Sequence, residues 1–274
     1  MKRYQAYCPA SISLIFRVHP NNNLLKMGST GVSFTINKGV TASVTEAQQT
    51  SICFNGKKIN FPTVTSAINS LTSKTLKIRL NSPLPLGCGF GLSGASTLAT
   101  VFSTNRLLKL GKTKKQLIQI AHIAEVKNKT GLGSVITQVL GGCMVRTTPG
   151  VCYIVLRLNY IDRKIYTRII NRISTPAILS DQNQLLRINH EATRSITQIN
   201  RKVPFEKLID LSFSFAKKSG LLKNKKMESV IEEVRNKGGH ATMAMLGDVI
   251  ISSKRFEKGV SIKLSITNDT VRLI

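Results

Sequence analysis

Carboxylates are scarce in this chain of 274 residues, where 13 Asp and Glu stand against 40 Lys and Arg. Tryptophan is absent, and aromatic residues make up only 5%. No apolar run approaches the roughly 18 residues that a membrane-crossing helix needs. The chain opens on basic Lys2 and Arg3, but the apolar stretch at 11–16 is too short for a secretion signal. Five cysteines (Cys8, Cys53, Cys88, Cys143, Cys152) are odd in number and form no C-x-x-C pair, and the four histidines are isolated. These absences argue against a disulfide framework and a Cys/His metal site. Reduced thiols in a cytoplasmic protein are expected.

What is present is positive charge, formally +27. Such a field attracts nucleic acid, acidic lipid, ATP or a carboxylate substrate. The basic residues form neither a tail nor a basic helix, and few aromatics interleave with them. A small anionic molecule is therefore the expected partner, and nucleic acid or a membrane is not.

The length suits one large or two modest domains with a buried core. Residues 1–80 read as short strands and turns. Asn21-Asn22-Asn23 is a turn signal, residues 28–31 a loop, and Asn55-Gly56 a hairpin between 51–54 and 57–61. Residues 62–73 read as a helix and 76–80 as a strand. Thr113-x-x-Gln116 is a capping box opening a helix to about Val126. Ser134 begins another helix, stopped by Gly141-Gly142. A hairpin follows across Pro149-Gly150. Later helices are expected at 184–200, 205–219 and 224–236, and strands at 165–170, 249–252 and 260–266. Strands and helices in both halves give an α+β class.

The stretch with most chemistry is 83–99, which joins the strand at 76–80 to a helix ending near Gly111. Glycines there let backbone approach a ligand, and free N–H groups of the first helical turn attract an anion. A Walker A loop is excluded, because no Lys lies between Arg79 and Arg106. Gly89-x-Gly91-x-x-Gly94 fits a dinucleotide fingerprint. The acid that fingerprint wants roughly 20 positions on is missing. Pro85, Gly89, Gly91, Ser93 and Ala95 instead resemble the phosphate loop of the GHMP kinases (galactokinase, homoserine, mevalonate and phosphomevalonate kinases). Glu125 is the one acid in residues 47–161, and a magnesium–nucleotide site needs hard oxygen ligands.

The resemblance extends further. Residues 121–126, 130–135, Gly141-Gly142, Arg146 and Pro149-Gly150 look like the archaeal pantoate kinases, a GHMP family of coenzyme A biosynthesis. Residues 8–16 and 26–31 resemble that family's opening motif and its Gly-Ser-x-Gly-Ala-Gly loop. Residues 173–175 and 241–247 resemble its later signatures, so the match runs in order over nearly the whole chain.

The resemblance implies a two-domain GHMP fold. Residues 1–150 would be like domain 2 of ribosomal protein S5, and residues 151–274 would be ferredoxin-like. It implies ATP and Mg2+ as cofactors and pantoate, phosphorylated to 4-phosphopantoate, as substrate. A different small hydroxylated acceptor, or weak nucleotide binding without turnover, stays open, as does a homodimer. Pro85, Gly87, Gly89, Gly91, Ser93, Gly94 and Ala95 would wrap the phosphates. Gly247 would shape the nucleotide site from the second domain. Ser93 and Glu125 would hold magnesium. Ser11, Ser29 and Arg146 would serve the acceptor, with Arg146 gripping its carboxylate. Ser134 stands where the family has its expected catalytic Asp. Ser11 replaces a His, Leu14 a Gly, and Val32-Ser33 an Ala-Gly pair. Asp248 is an alternative base, although its place after Gly247 suits the nucleotide side.

Overall fold

The structure, a computed structural model, describes residues 3–171 and 181–274. Residues 173–175, which carry one of the later signatures, lie outside the described residues. The expected α+β mixture is present.

The chain begins with two long strands, β1 (Tyr4–His19) and β2 (Gly28–Glu46), paired antiparallel. They replace the short strands expected there. Register shifts at Pro9/Ala10 and Ser13/Ile15 explain the difference, because bulges let one strand bend and continue where a proline interrupts the ladder. Residues 28–31 are not a loop. Gly28 pairs with His19 and Gly31 with Phe16, so they open β2. The Asn21–Asn23 turn forms as expected, with the Asn21 and Asn23 side chains accepting from the Asn23 and Leu25 N–H groups.

β3 (Ser51–Phe54) and β4 (Lys57–Lys58) form the Asn55-Gly56 hairpin. α1 (Pro62–Asn69) leads to β5 (Leu76–Asn81), which lies between β2 and β3. β5 alternates buried and exposed residues, as a strand with one solvated face should. α2 (Leu92–Leu107) follows the Gly-rich loop and is buried on nearly every side against β1 and β2. α3 (Lys114–Lys127) starts at Thr113, where both halves of the capping box are made. α4 (Ser134–Leu140) ends at Gly141, and β6 (Cys143–Arg146) pairs with β2 and with β7 (Val155–Leu158).

The second sheet has the order β11-β8-β10-β9. Its strands are β8 (Lys164–Ile169), β9 (Ala241–Met243), β10 (Val249–Ser252) and β11 (Ile262–Ser265). Helices α5 (Gln182–Ile196), α6 (Phe205–Lys218) and α7 (Lys225–Asn236) lie between β8 and β9 in sequence. Asp181 and Asn224 cap α5 and α7 through their side chains. β12 (Arg272–Leu273) returns to pair with β1, so β7 and β12 complete the first sheet.

The helices and turns around the second sheet, here the second unit, grip the middle of β1. Ser212 of α6 donates to the Leu14 carbonyl at 2.8 Å, and the Met245 N–H donates to the Ser13 carbonyl at 2.9 Å. The second unit is thereby held over the end of the Gly-rich loop. None of the five cysteines forms a disulfide among the described residues. Among the described residues, no helix is long and apolar enough to cross a membrane.

Candidate active site

One cleft collects the start of α2, the end of α3, the start of α4 and the turn after β9. Ser11, Ser29, Gly87, Gly89, Gly91 and Ser93 line it, with Glu125, Thr130, Ser134, Met245 and Leu246. Counted with the open solvent at its mouth, the cleft holds about 790 Å3 of empty space.

The phosphate-loop expectation meets a helix N-terminus here. Gly91 is the N-cap of α2, at φ +61°, with no side-chain cap. A side chain at Gly91 would be strained, and its Cβ would lie 2.5 Å from Ser11 Oγ. The first turn carries no acid, so its free N–H groups and the helix dipole favour an anion. Ala95 is buried in α2, and its own N–H is spent on the Gly91 carbonyl at 3.2 Å. Pro85 lies outside the lining of the cleft, on the approach to the loop. Gly247 packs behind the loop, where an added Cβ would meet Gly89 Cα at 2.3 Å. Its neighbour Leu246 faces the cleft.

Glu125 sits in the last turn of α3, 2% exposed. Ser93 Oγ donates to its Oε1 at 2.5 Å and Thr130 Oγ1 to the same atom at 2.8 Å. Ser134 Oγ donates to Oε2 at 3.1 Å. No Lys or Arg pairs with Glu125 among the described ion pairs. Burial pushes its carboxyl above the ordinary value, opposed by the three hydroxyl donors. The backbone must also come close. An added Cβ at Gly131 would lie 2.3 Å from Glu125 Oε2, so only glycine fits between carboxylate and loop.

Buried carboxylates are expensive without a cation. One carboxylate, flanking hydroxyls and the nearby anion-favouring end of α2 fit a Mg2+ that would keep waters and phosphate oxygens as its other ligands. Among the described residues there is no group of three or more His, Cys, Asp or Glu that could hold a metal unaided.

Arg146 is buried behind the cleft and does not line it. Its Nη2 donates to Ser29 O, to Ser29 Oγ at 3.1 Å and to Leu132 O at 3.1 Å. Burial lowers its pKa to about 10, and Nη1 has no partner. It faces a small side cavity shared with Ser13, Phe16 and Ser29. Asp248 bonds Asn224 Nδ2 at 3.2 Å and does not line the cleft.

Two contributors were not foreseen from the sequence. Buried Gln138 donates from Nε2 to the Gly91 carbonyl at 2.8 Å and to Ser11 Oγ at 3.1 Å, holding loop and β1 together. Thr63, in α1, has its Oγ1 3.3 Å from Ser93 Oγ and 3.1 Å from Thr130 Oγ1. Thr130 belongs to a motif that the sequence singled out, and its role beside Glu125 comes from the fold.

The architecture and the lysine-free, glycine-rich loop before α2 are those of the GHMP kinases. The family model for the GHMP kinases N terminal domain matches residues 62–142. The chain is 31% identical to the pantoate kinase of Methanocaldococcus jannaschii over 92% of this chain and 93% of that one. It is 29% identical to the pantoate kinase of Methanospirillum hungatei, over 94% and 90%. A solved phosphotransferase related to the CoA biosynthesis pathway superposes with a TM-score of 0.87, at 23% identity over 99% of this chain and 98% of that one. The chain belongs to the pantoate kinase family.

Proposed function

We propose that the protein transfers the γ-phosphoryl group of ATP to the 4-hydroxyl of pantoate, as a Mg2+-dependent kinase of the cytoplasm. The observation carrying this reading is the bond between Ser93, in the first turn of α2, and Glu125. In this reading, an anion-favouring helix end and a carboxylate without a basic partner among the described ion pairs share one cleft.

In this reading the 89–95 backbone cradles the phosphates, and Ser93 and Glu125 would hold Mg2+. Bound there, the metal would neutralise charge on the phosphate oxygens. Gln138 fixes the loop against β1, and Thr130 orients Glu125. Ser11 and Ser29 offer hydroxyls to the acceptor, while Phe16 and Met245 present it an apolar wall. Arg146 holds Ser29 in place and supplies a positive field for a carboxylate. Phosphoryl transfer through a loose transition state depends mostly on position and charge neutralisation. Ser134 can orient the acceptor hydroxyl but is too weak a base to hold its proton.

A coupled ADP-release assay over pantoate, mevalonate, homoserine and shikimate tests the proposal. Turnover with pantoate alone supports it. Preference for another acceptor would shift the reading to a GHMP kinase with altered specificity, for which the changed Ser11 and Val32-Ser33 positions are the motive. ATP binding without turnover would favour a weak nucleotide-binding protein, for which Ser134 is the motive.

A further inference from the structure

We propose that the outer face of the first sheet binds single-stranded RNA, mainly through its phosphates. Residues 1–150 hold 18 of the 40 basic residues and only 2 of the 13 acidic ones. Of those two, Glu125 is buried in the cleft and Glu46 is paired with Lys74. The pleat gathers several of the other cations in this part of the chain.

The ladder registers define the face. Lys58, Cys53, Arg79, Ser43 and Gln5 stand directly opposite one another across β4, β3, β5, β2 and β1. The next row brings Ser51, Lys77 and Thr45 together. The row on the other side runs Asn81, Thr41, Tyr7 and Arg272. Arg3 joins the face by donating to Ser43 Oγ at 2.6 Å, and Lys38 borders a shallow groove beside Tyr7 and Asn81. Arg3, Lys38, Lys58, Lys77 and Arg79 are exposed and enter no ion pair among the described residues. Arg272 alone meets an acid, Asp269 at 3.3 Å. With strands about 4.8 Å apart, six strands span about 24 Å. Helix α2 packs on the opposite face, and none of these six cations lines the cleft.

The chemistry of the face selects its partner. Its rows contain no aliphatic side chain, so it lacks the apolar centre of a protein interface. It is a sheet surface whose rows present no helix to a duplex groove. Amides (Gln5, Asn81) and Tyr7 interleave with the cations and can meet the edges of unstacked bases. Few aromatics are present for stacking, so phosphate contacts dominate and sequence preference is weak. The cations come from separate strands, which is why the linear sequence shows no basic tail or helix.

The test is fluorescence anisotropy with a labelled 20-nucleotide oligouridine and the full chain. Six phosphate contacts predict a slope of log affinity against log salt near −4, or a loss of about 10²-fold between 50 and 200 mM salt. The double variant Lys77→Glu/Arg79→Glu should weaken binding at least about tenfold and leave kinase activity unchanged. Lys202→Glu/Lys226→Glu, which makes the same charge change on the second unit, should stay within about twofold. Lys38→Glu/Lys58→Glu gives an independent reading should the first variant misfold. Absence of binding at 50 mM salt overturns the proposal, as does equal weakening by the control pair. Equal affinity for a duplex of the same length would remove the single-strand claim. Equal displacement by polyglutamate would remove the nucleic-acid claim. A raised KM for ATP in the Lys77/Arg79 variant with RNA binding intact would assign the face to the cleft instead.

Discussion

Ser93 Oγ donates to Glu125 Oε1 at 2.5 Å, although 32 positions separate the two residues. Ser93 stands in the first turn of α2, where the dipole is positive. Glu125 stands in the last turn of α3, where it is negative. A phosphate at the α2 N-terminus would come beside a buried carboxylate that already sits at an unfavourable helix end. The two anions repel unless a cation lies between them.

Glu125→Gln separates these effects. The folded state raises the carboxyl pKa above 4.5, chiefly through burial. Between 4.5 and the raised value the folded protein keeps a proton that the unfolded chain has lost, so stability falls as pH rises through that window. The Gln variant should lose this dependence and melt higher than the wild type at neutral pH without metal. It should also lose the stabilisation that Mg2+ gives with nucleotide. Thermal melts between about pH 4 and 8, with and without Mg2+ and ATP, read both. A Gln variant that retains the Mg2+ shift would remove Glu125 from the metal site.

Gly131→Ala should damage the same centre by crowding. Its Cβ would lie 2.3 Å from Glu125 Oε2 and 2.9 Å from Ser134 Oγ. Overpacking of this kind costs about 1–3 kcal/mol. Displacing the carboxylate should also lower kcat by at least about tenfold, because small misplacements in positioned sites are expensive. Unchanged kcat with a lower melting temperature would mean that Glu125 only packs there.

Gln138→Leu should act on the nucleotide. It removes the donor to the Gly91 carbonyl and to Ser11 Oγ. Leaving buried acceptors unpaired costs about 1–3 kcal/mol. With the α2 N-cap less fixed, KM for ATP should rise more than kcat falls. The reverse split would place Gln138 on the acceptor side.

Legibility in the sequence followed the range of the interaction. The capping box at Thr113 and Gln116 and the Asn55-Gly56 hairpin are local, and they form as read. Glu125 was conspicuous because acids are so few. The length of β1 and β2 was hidden, since Pro9 and the glycines at 28 and 31 look like breaks until a partner strand and bulges accommodate them. Gln138 was invisible because its partners lie 47 and 127 residues away. The motif around Arg146 points to an acceptor ligand, whereas its burial against Ser29 and Leu132 depends on three elements meeting.

Ser134→Asp tests what the serine means. Ser134 Oγ already donates to Glu125 Oε2 at 3.1 Å. An aspartate in the same rotamer would set two carboxylates against each other, and like charges so close disfavour ionisation of both. The space is also tight, since added Cβ atoms at Gly94 and Gly131 would lie 2.8 and 2.9 Å from Ser134 Oγ. The new carboxylate must therefore turn outward into the cleft, where an acceptor hydroxyl would sit. The variant should be less stable than the wild type without metal and regain stability in Mg2+. Its kcat on the true acceptor should rise, by up to about 10² if only a base is missing. ATP affinity should change little. Melting temperature with and without Mg2+, together with kcat on pantoate, distinguishes the cases. An unchanged or lower kcat in an already active enzyme would mean that the proton leaves by another route, the γ-phosphate itself being the nearest acceptor. Ser134 would then serve to hold Glu125, not to mark a lost base.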